Sequence, residues 1–301
     1  MMHATAAAAT HVGRIREGNE DAYLCADGLY FVADGMGGHS AGEVASDIAV
    51  TTLSELLSKV VHNGLSADDL AAAVRHANTA ILTEAMRDRA KAGMGTTLTG
   101  LAVADSDRRR ALVANVGDSR TYLWRHGELR QITKDHSHVQ SLVDRGAITR
   151  AEARVHYQRN IVLRAMGIDP DLEVDVFELD IEDGDRFVVC SDGLVDEADD
   201  DAIEMAIRTS ARPDDLAQSL VQLANDNGGR DNVTVVVVDF TDGPVVPATD
   251  GSADSAVVSL DDTVAITSAR RPSRLLDVAA FGSWLVATAI VVTVIVSALT
   301  Q

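Results

Sequence analysis

Five short stretches set a carboxylate against an apolar run. "FVADGMGGHS" places Asp34 after a strand-like segment, "FVVCSDGLVDE" does the same with Asp192, and "LVANVGDSR" with Asp118. "NGGRDNVTVVVVDF" puts Asp231 at the mouth of another run, and "REGNEDAYL" sets Glu20 and Asp21 ahead of a short one. A carboxylate at the end of a buried strand is costly to desolvate unless a cation meets it. Taken alone, the Asp34 stretch reads more readily as a plain strand-to-helix turn, because Asp and Gly are turn residues. Taken together they repeat one local design. Strands lying side by side would bring these carboxylates to one sheet edge, where they could not all remain ionised without metal. With no His or Cys attending them, the donor set suits Mg²⁺ or Mn²⁺ with oxygen ligands and water. Gly35, Gly37 and Gly38 after Asp34 would let backbone approach an ion closely.

The elements that must position these residues are legible from periodicity. Strands are predicted at Leu29–Ala33, Thr97–Ala104, Ala111–Val116, Arg120–Trp124, Arg186–Cys190 and Asn232–Asp239, with the charged "DSDRRR" as a solvated hairpin turn. Helical spacing predicts one buried face over Ala41–Val61. A second helix begins near Ser66 with Asp68 and Asp69 in its first turn, and a third follows Pro213 and ends at Gly228 and Gly229. Antiparallel strand groups with amphipathic helices between them imply an α+β domain, sheets flanked by helices.

Lys and Arg total 26 against 46 Asp and Glu, a formal net charge of −20, which argues against nucleic acid as the partner. Cys25 and Cys190, each among apolar or strand-like residues, make no disulfide framework and fit a reducing compartment. "MMHATAAAAT" has neither the basic residues nor the apolar core of a secretory signal. From residue 241 to 277 the composition turns to Ser, Thr, Asp, Pro and Gly without sustained periodicity, the pattern of a flexible juxtamembrane linker. Val278 to Leu299 carries no charge over a length suited to one membrane-crossing helix. Arg270, Arg271 and Arg274 before it predict a single-pass cell-membrane protein with residues 1–240 in the cytoplasm.

The blocks "REGNEDA", "VADGMGGHSAGE", "MGTTLTG", "NVGDSRTYL", "TKDHSHVQSLVDRGAIT", "VLRAMG", "CSDGLVD" and "RDNVTVVVV" occur in an order that resembles the metal-dependent Ser/Thr protein phosphatases, the protein phosphatase 2C family. The resemblance covers roughly Thr10 to Phe240, and the ordered set is far more specific than any one block. It implies a four-layer α/β/β/α sandwich of two antiparallel sheets and a catalytic domain over 1–240. It further implies hydrolysis of phosphoserine and phosphothreonine by direct attack of a metal-bridging water or hydroxide, with no covalent phosphoenzyme. Carried over by residue, Asp34 bridges two Mn²⁺ or Mg²⁺ ions, Gly35 offers its carbonyl, Asp192 and Asp231 hold one ion, and Glu20 supports the other. Asp118 with Asp192 resembles the pair that binds a third, weaker ion, and Arg16 matches the arginine that grips the substrate phosphate. The implied partners are phosphorylated proteins, Ser/Thr kinases and their targets among them.

The chain departs from many eukaryotic members at Met36, where a histidine able to protonate the leaving oxygen would stand. His39 is near, but a polar residue at a helix start is more often a cap or surface group than an acid. His136 and His138 lack a matching third ligand and read as structural or as rim residues. Cys190 reads as an inert buried thiol, and Thr96 and Thr97 as strand packing. Asp144–Arg164 resembles the family's variable flap. A catalytically silent, membrane-tethered phosphoprotein-binding or metal-sensing module is the alternative, against which the intact Arg16, Asp34, Asp192 and Asp231 weigh. A nucleotide-binding loop at "GMGGHS" is disfavoured because no Gly-Lys-Ser/Thr follows.

Overall fold

The computed structural model describes residues 2–243 apart from Asp27 and residues 38–40. The strands are β1 (Met2–His11), β2 (Asp21–Ala26), β3 (Leu29–Met36), β4 (Gly95–Thr96), β5 (Leu98–Val103), β6 (Arg110–Val116), β7 (Arg120–Arg125), β8 (Glu128–Gln131), β9 (Asp175–Asp180), β10 (Arg186–Cys190) and β11 (Val233–Asp242). The helices are α1 (Ala41–Leu57), α2 (Ala67–Arg87), α3 (His138–Asp144), α4 (Arg150–Arg154), α5 (Asp192–Val195), α6 (Asp200–Thr209) and α7 (Pro213–Asn227). One antiparallel sheet runs β1-β11-β10-β7-β8 and the other β2-β3-β5-β6-β9, with β4 paired to β3.

Side-chain alternation assigns each strand residue to a layer. In β3, Tyr30 and Val32 enter the core between the two sheets, while Phe31 and Ala33 pack outward under α1 and α2. In β11, Val236, Val238 and Phe240 face inward, and Val233, Val235 and Val237 meet α6 and α7. The result is helices, sheet, sheet, helices. A strand covered on both faces has no polar side to show, which is why Val235 to Val238 read as an unbroken apolar run.

The predicted elements are found within a few residues of their expected bounds. Ser66 caps α2 with a reciprocal Ser66–Asp69 capping box, and Gly228 caps α7. The first strand, β1, was not expected, because its Ala-rich sequence carries little β propensity. It forms because it pairs with β11 over its whole length, Met2 opposite Asp242 through His11 opposite Val233. Among the described residues no helix is long and apolar enough to cross a membrane. The predicted helix at 278–299 and the linker beyond 243 lie outside the described residues, as do Gly38 and His39.

Candidate metal centre and phosphate site

The expected site residues come from both sheets and meet at one end of the sandwich. Asp34 lies near the end of β3, Asp118 just past β6, Asp192 at the start of α5 after β10, and Asp231 two residues before β11. The carboxyl groups of Asp34 and Asp192 lie within hydrogen-bonding reach of each other. Burial first, then repulsion from Asp21, Asp192 and Asp118, holds Asp34 well above the usual carboxylate range. Asp192 is raised in the same way, by burial and then by Asp118, Asp196 and Asp231. Asp118 is pushed up to about 7, chiefly by burial and next by Asp135.

Asp21 also belongs to this group, although the sequence singles out only its neighbour Glu20 as a ligand. It stands directly opposite Asp34 in the β2–β3 pairing and is pushed up to about 6 by burial, despite accepting a 2.8 Å hydrogen bond from Ser191 Oγ. The readable signal was its position, the first strand residue after "GNE", facing the end of β3.

Glu20 is fixed from three directions. Its backbone N–H donates to Asn232 Oδ1 at 2.8 Å, its carbonyl accepts from Ser46 Oγ at 2.6 Å, and its carboxylate accepts from the Gly42 N–H in the first turn of α1. Gly35 sits in the same crossing. A Cβ there would lie 2.3 Å from the Gly42 carbonyl oxygen and 2.4 Å from that of Glu20, so the strand end admits no side chain. Asn232 also donates to the carbonyls of Val12 and Gly18 at 2.9 Å each, pinning the loop that carries Arg16. Arg16 then reaches Asp231 Oδ2 at 2.6 Å, with about half of its side chain exposed.

Thr96 and Thr97 do more than pack. Thr97 Oγ1 accepts from the Asp34 N–H at 3.0 Å and shares a 2.7 Å hydrogen bond with Ser119 Oγ, and the hydroxyl of Thr96 donates to the Asp34 carbonyl at 2.9 Å. These bonds lock the backbone of Asp34 to the loop containing Asp118. Cys190 is buried in β10 and pushed up to about 12 by burial, the inert thiol its sequence suggests. Met36 ends β3, paired with Gly95.

The donors are all oxygens, several carboxylates are raised by one another's charge, and the glycines keep backbone close. This chemistry fits hard divalent cations, whose arrival would favour the ionised forms that burial penalises. Among the described residues no three carboxylate, imidazole or thiolate side chains are already gathered around one point, so water and backbone carbonyls would complete any such shell. A cavity of about 270 Å³ opens beside the carboxylates, floored by Asp118 and Asp192 and walled by Arg150 and Arg154 of α4 and by Asp196 and Asp200.

Residues 16–233 match the family model described as Protein phosphatase 2C. The serine/threonine protein phosphatase PstP of Mycobacterium tuberculosis is 41% identical over 264 residues, which cover 86% of this chain and 50% of the relative. The chain therefore spans about half the length of that curated relative. The serine/threonine phosphatase stp of Listeria monocytogenes is 37% identical over 239 residues, 76% of this chain and 93% of its own. The crystal structure of the catalytic domain of PstP with two manganese ions superposes with a TM-score of 0.74 at 40% identity, covering 80% of this chain and all of that one. A family-model match over residues 16–233, with relatives 37–41% identical, assigns the chain to the protein phosphatase 2C family of serine/threonine phosphatases.

Proposed function

We propose that the chain is a metal-dependent phosphoprotein phosphatase acting on phosphoserine and phosphothreonine in proteins, held at the cytoplasmic face of a membrane by residues 278–299. The observation that carries the reading is the placement of Asp34, Asp118 and Asp192 at one end of the two sheets, with Asp21 opposite Asp34 in the β2–β3 register and Arg16 paired with Asp231. Asp34, Asp192, Asp231 and Glu20, with the Gly35 carbonyl, would hold two ions, and Asp118 with Asp192 a third. When bound, Mn²⁺ or Mg²⁺ supplies charge neutralisation against the phosphate dianion and acidifies a water for attack.

The chain's own groups supply positioning. Arg16 presents a planar fork to two phosphate oxygens, and its half-exposed position leaves it accessible to a substrate. Asn232 keeps the Arg16 loop in register with Glu20. Ser191, the hydroxyl nearest in sequence to Asp192, donates to Asp21 and accepts from the Thr234 N–H, so it is committed to structure rather than to attack. Met36 has no proton to give the leaving oxygen.

The membrane location rests on the sequence, on the apolar segment 278–299 and the arginines before it, and a role opposing Ser/Thr kinases rests on the family resemblance. Tethering would raise local concentration towards membrane-associated phosphoproteins without new contacts. The test is phosphate release from a phosphothreonine peptide by the full chain, with and without Mn²⁺, beside Asp192→Asn. Metal-dependent turnover lost in the variant supports the reading. A folded, Mn²⁺-binding wild-type chain with no turnover would favour the silent binding module.

A further inference from the structure

Both polar backbone groups of Gly117, the residue before Asp118, end on His136. The Gly117 N–H donates to His136 Nδ1 at 3.1 Å, and the Gly117 carbonyl accepts from the His136 N–H at 2.8 Å. That carbonyl belongs to the peptide joining Gly117 to Asp118, so His136 holds the plane from which the Asp118 side chain departs. Gly117 has φ +109°, and a Cβ on it would lie 2.6 Å from Thr97 Cβ, so no other residue could take this turn. Asn115 Nδ2 adds a second donor to the same carbonyl at 3.2 Å.

The other ring nitrogen of His136 faces the far side of the clamp. Nε2 lies 3.1 Å from Asp175 Oδ2, and Asp175 Oδ1 accepts from Arg164 at 2.8 Å. Because Nδ1 accepts from Gly117, the ring proton sits on Nε2 and is donated to Asp175. Arg164 NH1, 3.1 Å from Nε2, then contributes to the ring's surroundings as a charge rather than as a donor. Burial lowers the affinity of this imidazole for a second proton, in keeping with the single-proton form.

Arg164 closes the flap. After α3 and α4 the chain returns past His136 through a bridge of Ser137 with Val162, with the Leu163 N–H donating to the His136 carbonyl at 2.7 Å and the His138 N–H to the Ile161 carbonyl at 2.8 Å. The segment walling the cavity and the loop carrying Asp118 are thus fastened to the same residue.

We infer that His136 is a positioning residue that sets the Asp118 carboxylate for metal binding and ties its placement to the flap, through Gly117 on one ring nitrogen and Asp175 with Arg164 on the other. The inference rests on the metal reading above. It gives His136 a role that neither a structural histidine of the core nor a metal ligand would have, because the ring acts on the metal site only through a backbone N–H.

The test is Mn²⁺ binding by the full chain, followed by the paramagnetic signal of free Mn²⁺, with turnover measured separately. Asp118→Asn identifies the binding phase that depends on that carboxylate. His136→Ala should raise the Mn²⁺ concentration for half-occupancy of that phase by about tenfold, the usual scale for removing a group that orients a ligand. His136→Asn, whose Oδ1 can stand where Nδ1 accepts from Gly117, should recover most of the loss. Combining His136→Ala with Asp118→Asn should add nothing to Asp118→Asn alone. If His136→Ala does not fold, Asp175→Asn serves in its place: it leaves the imidazole packed, removes the charge that fixes the ring proton, and should weaken the same phase. The inference is overturned if Asp118→Asn alters no phase, if the substitutions at 136 and 175 leave its phase unchanged, or if Ala and Asn at 136 are equally impaired. A chain that shows the expected Mn²⁺ pattern but no phosphate release would sink the phosphatase reading and leave the clamp standing.

Discussion

Asp21 and Asp34 face each other directly across the β2–β3 hairpin, two carboxylates where a sheet ordinarily avoids like charges. Ser191 offsets part of the conflict with its hydrogen bond to Asp21, and burial aggravates it. Such a pair costs stability in isolation, so its worth lies in what binds between the sheets. Replacing Asp21 with Asn should raise the melting temperature of the chain treated with chelator and weaken Mn²⁺ binding. Thermal melts with and without Mn²⁺ check both, and a variant less stable without metal would refute the account.

The pH response of the chelator-treated chain has a definite sign. Asp21 and Asp118 have folded pKa values raised to about 6 and about 7 from 3.8. The folded state therefore holds protons that the unfolded state has released, and stability falls as pH rises from about 4 through about 7. Saturating Mn²⁺ should flatten that dependence, because the ion takes the place of the protons. Denaturant unfolding at pH 5 and pH 8, with and without metal, measures it.

Arg16 should matter for turnover far more than for folding. Its pair with Asp231 is half exposed, worth under about 1 kcal/mol. Arg16→Ala should lower kcat/KM by about a hundredfold, a loss of the order expected for a charge-assisted pair of hydrogen bonds to phosphate, with little change in melting temperature. Arg16→Lys should restore only part of the activity, since an ammonium lacks the planar fork.

Thr97 offers a test of the lock on Asp34. Its hydroxyl is buried and accepts from the Asp34 N–H at 3.0 Å. Thr97→Val keeps the shape and strands that donor, costing about 1–3 kcal/mol, whereas Thr97→Ser keeps the acceptor. Equal melting temperatures for Val and Ser would show that the bond carries no weight.

The proposed membrane location is checked by fractionation of cells. The full chain should sediment with membranes and a chain ending at 268 should not, while both release phosphate from a soluble peptide at similar rates.

Much of this protein was legible in one dimension. The strand-end placement of Asp34, Asp118, Asp192 and Asp231, the amphipathic stripes of α1 and α2 and the Ser66 cap are local patterns, with causes lying within a few residues. The family resemblance followed from the order of those blocks. What lay beyond local pattern was whatever depends on a partner distant in sequence. The Ala-rich β1 is a strand only because β11 stands beside it, more than two hundred residues on. Asp21 joins the carboxylate group because the hairpin register sets it against Asp34, and Thr97 becomes part of the site because two loops converge on its hydroxyl. The sequence by itself determined which side chains could bind metal and phosphate. Only the tertiary structure decided which of them are buried together, because desolvation and repulsion depend on distance through space and leave no trace in the order of residues.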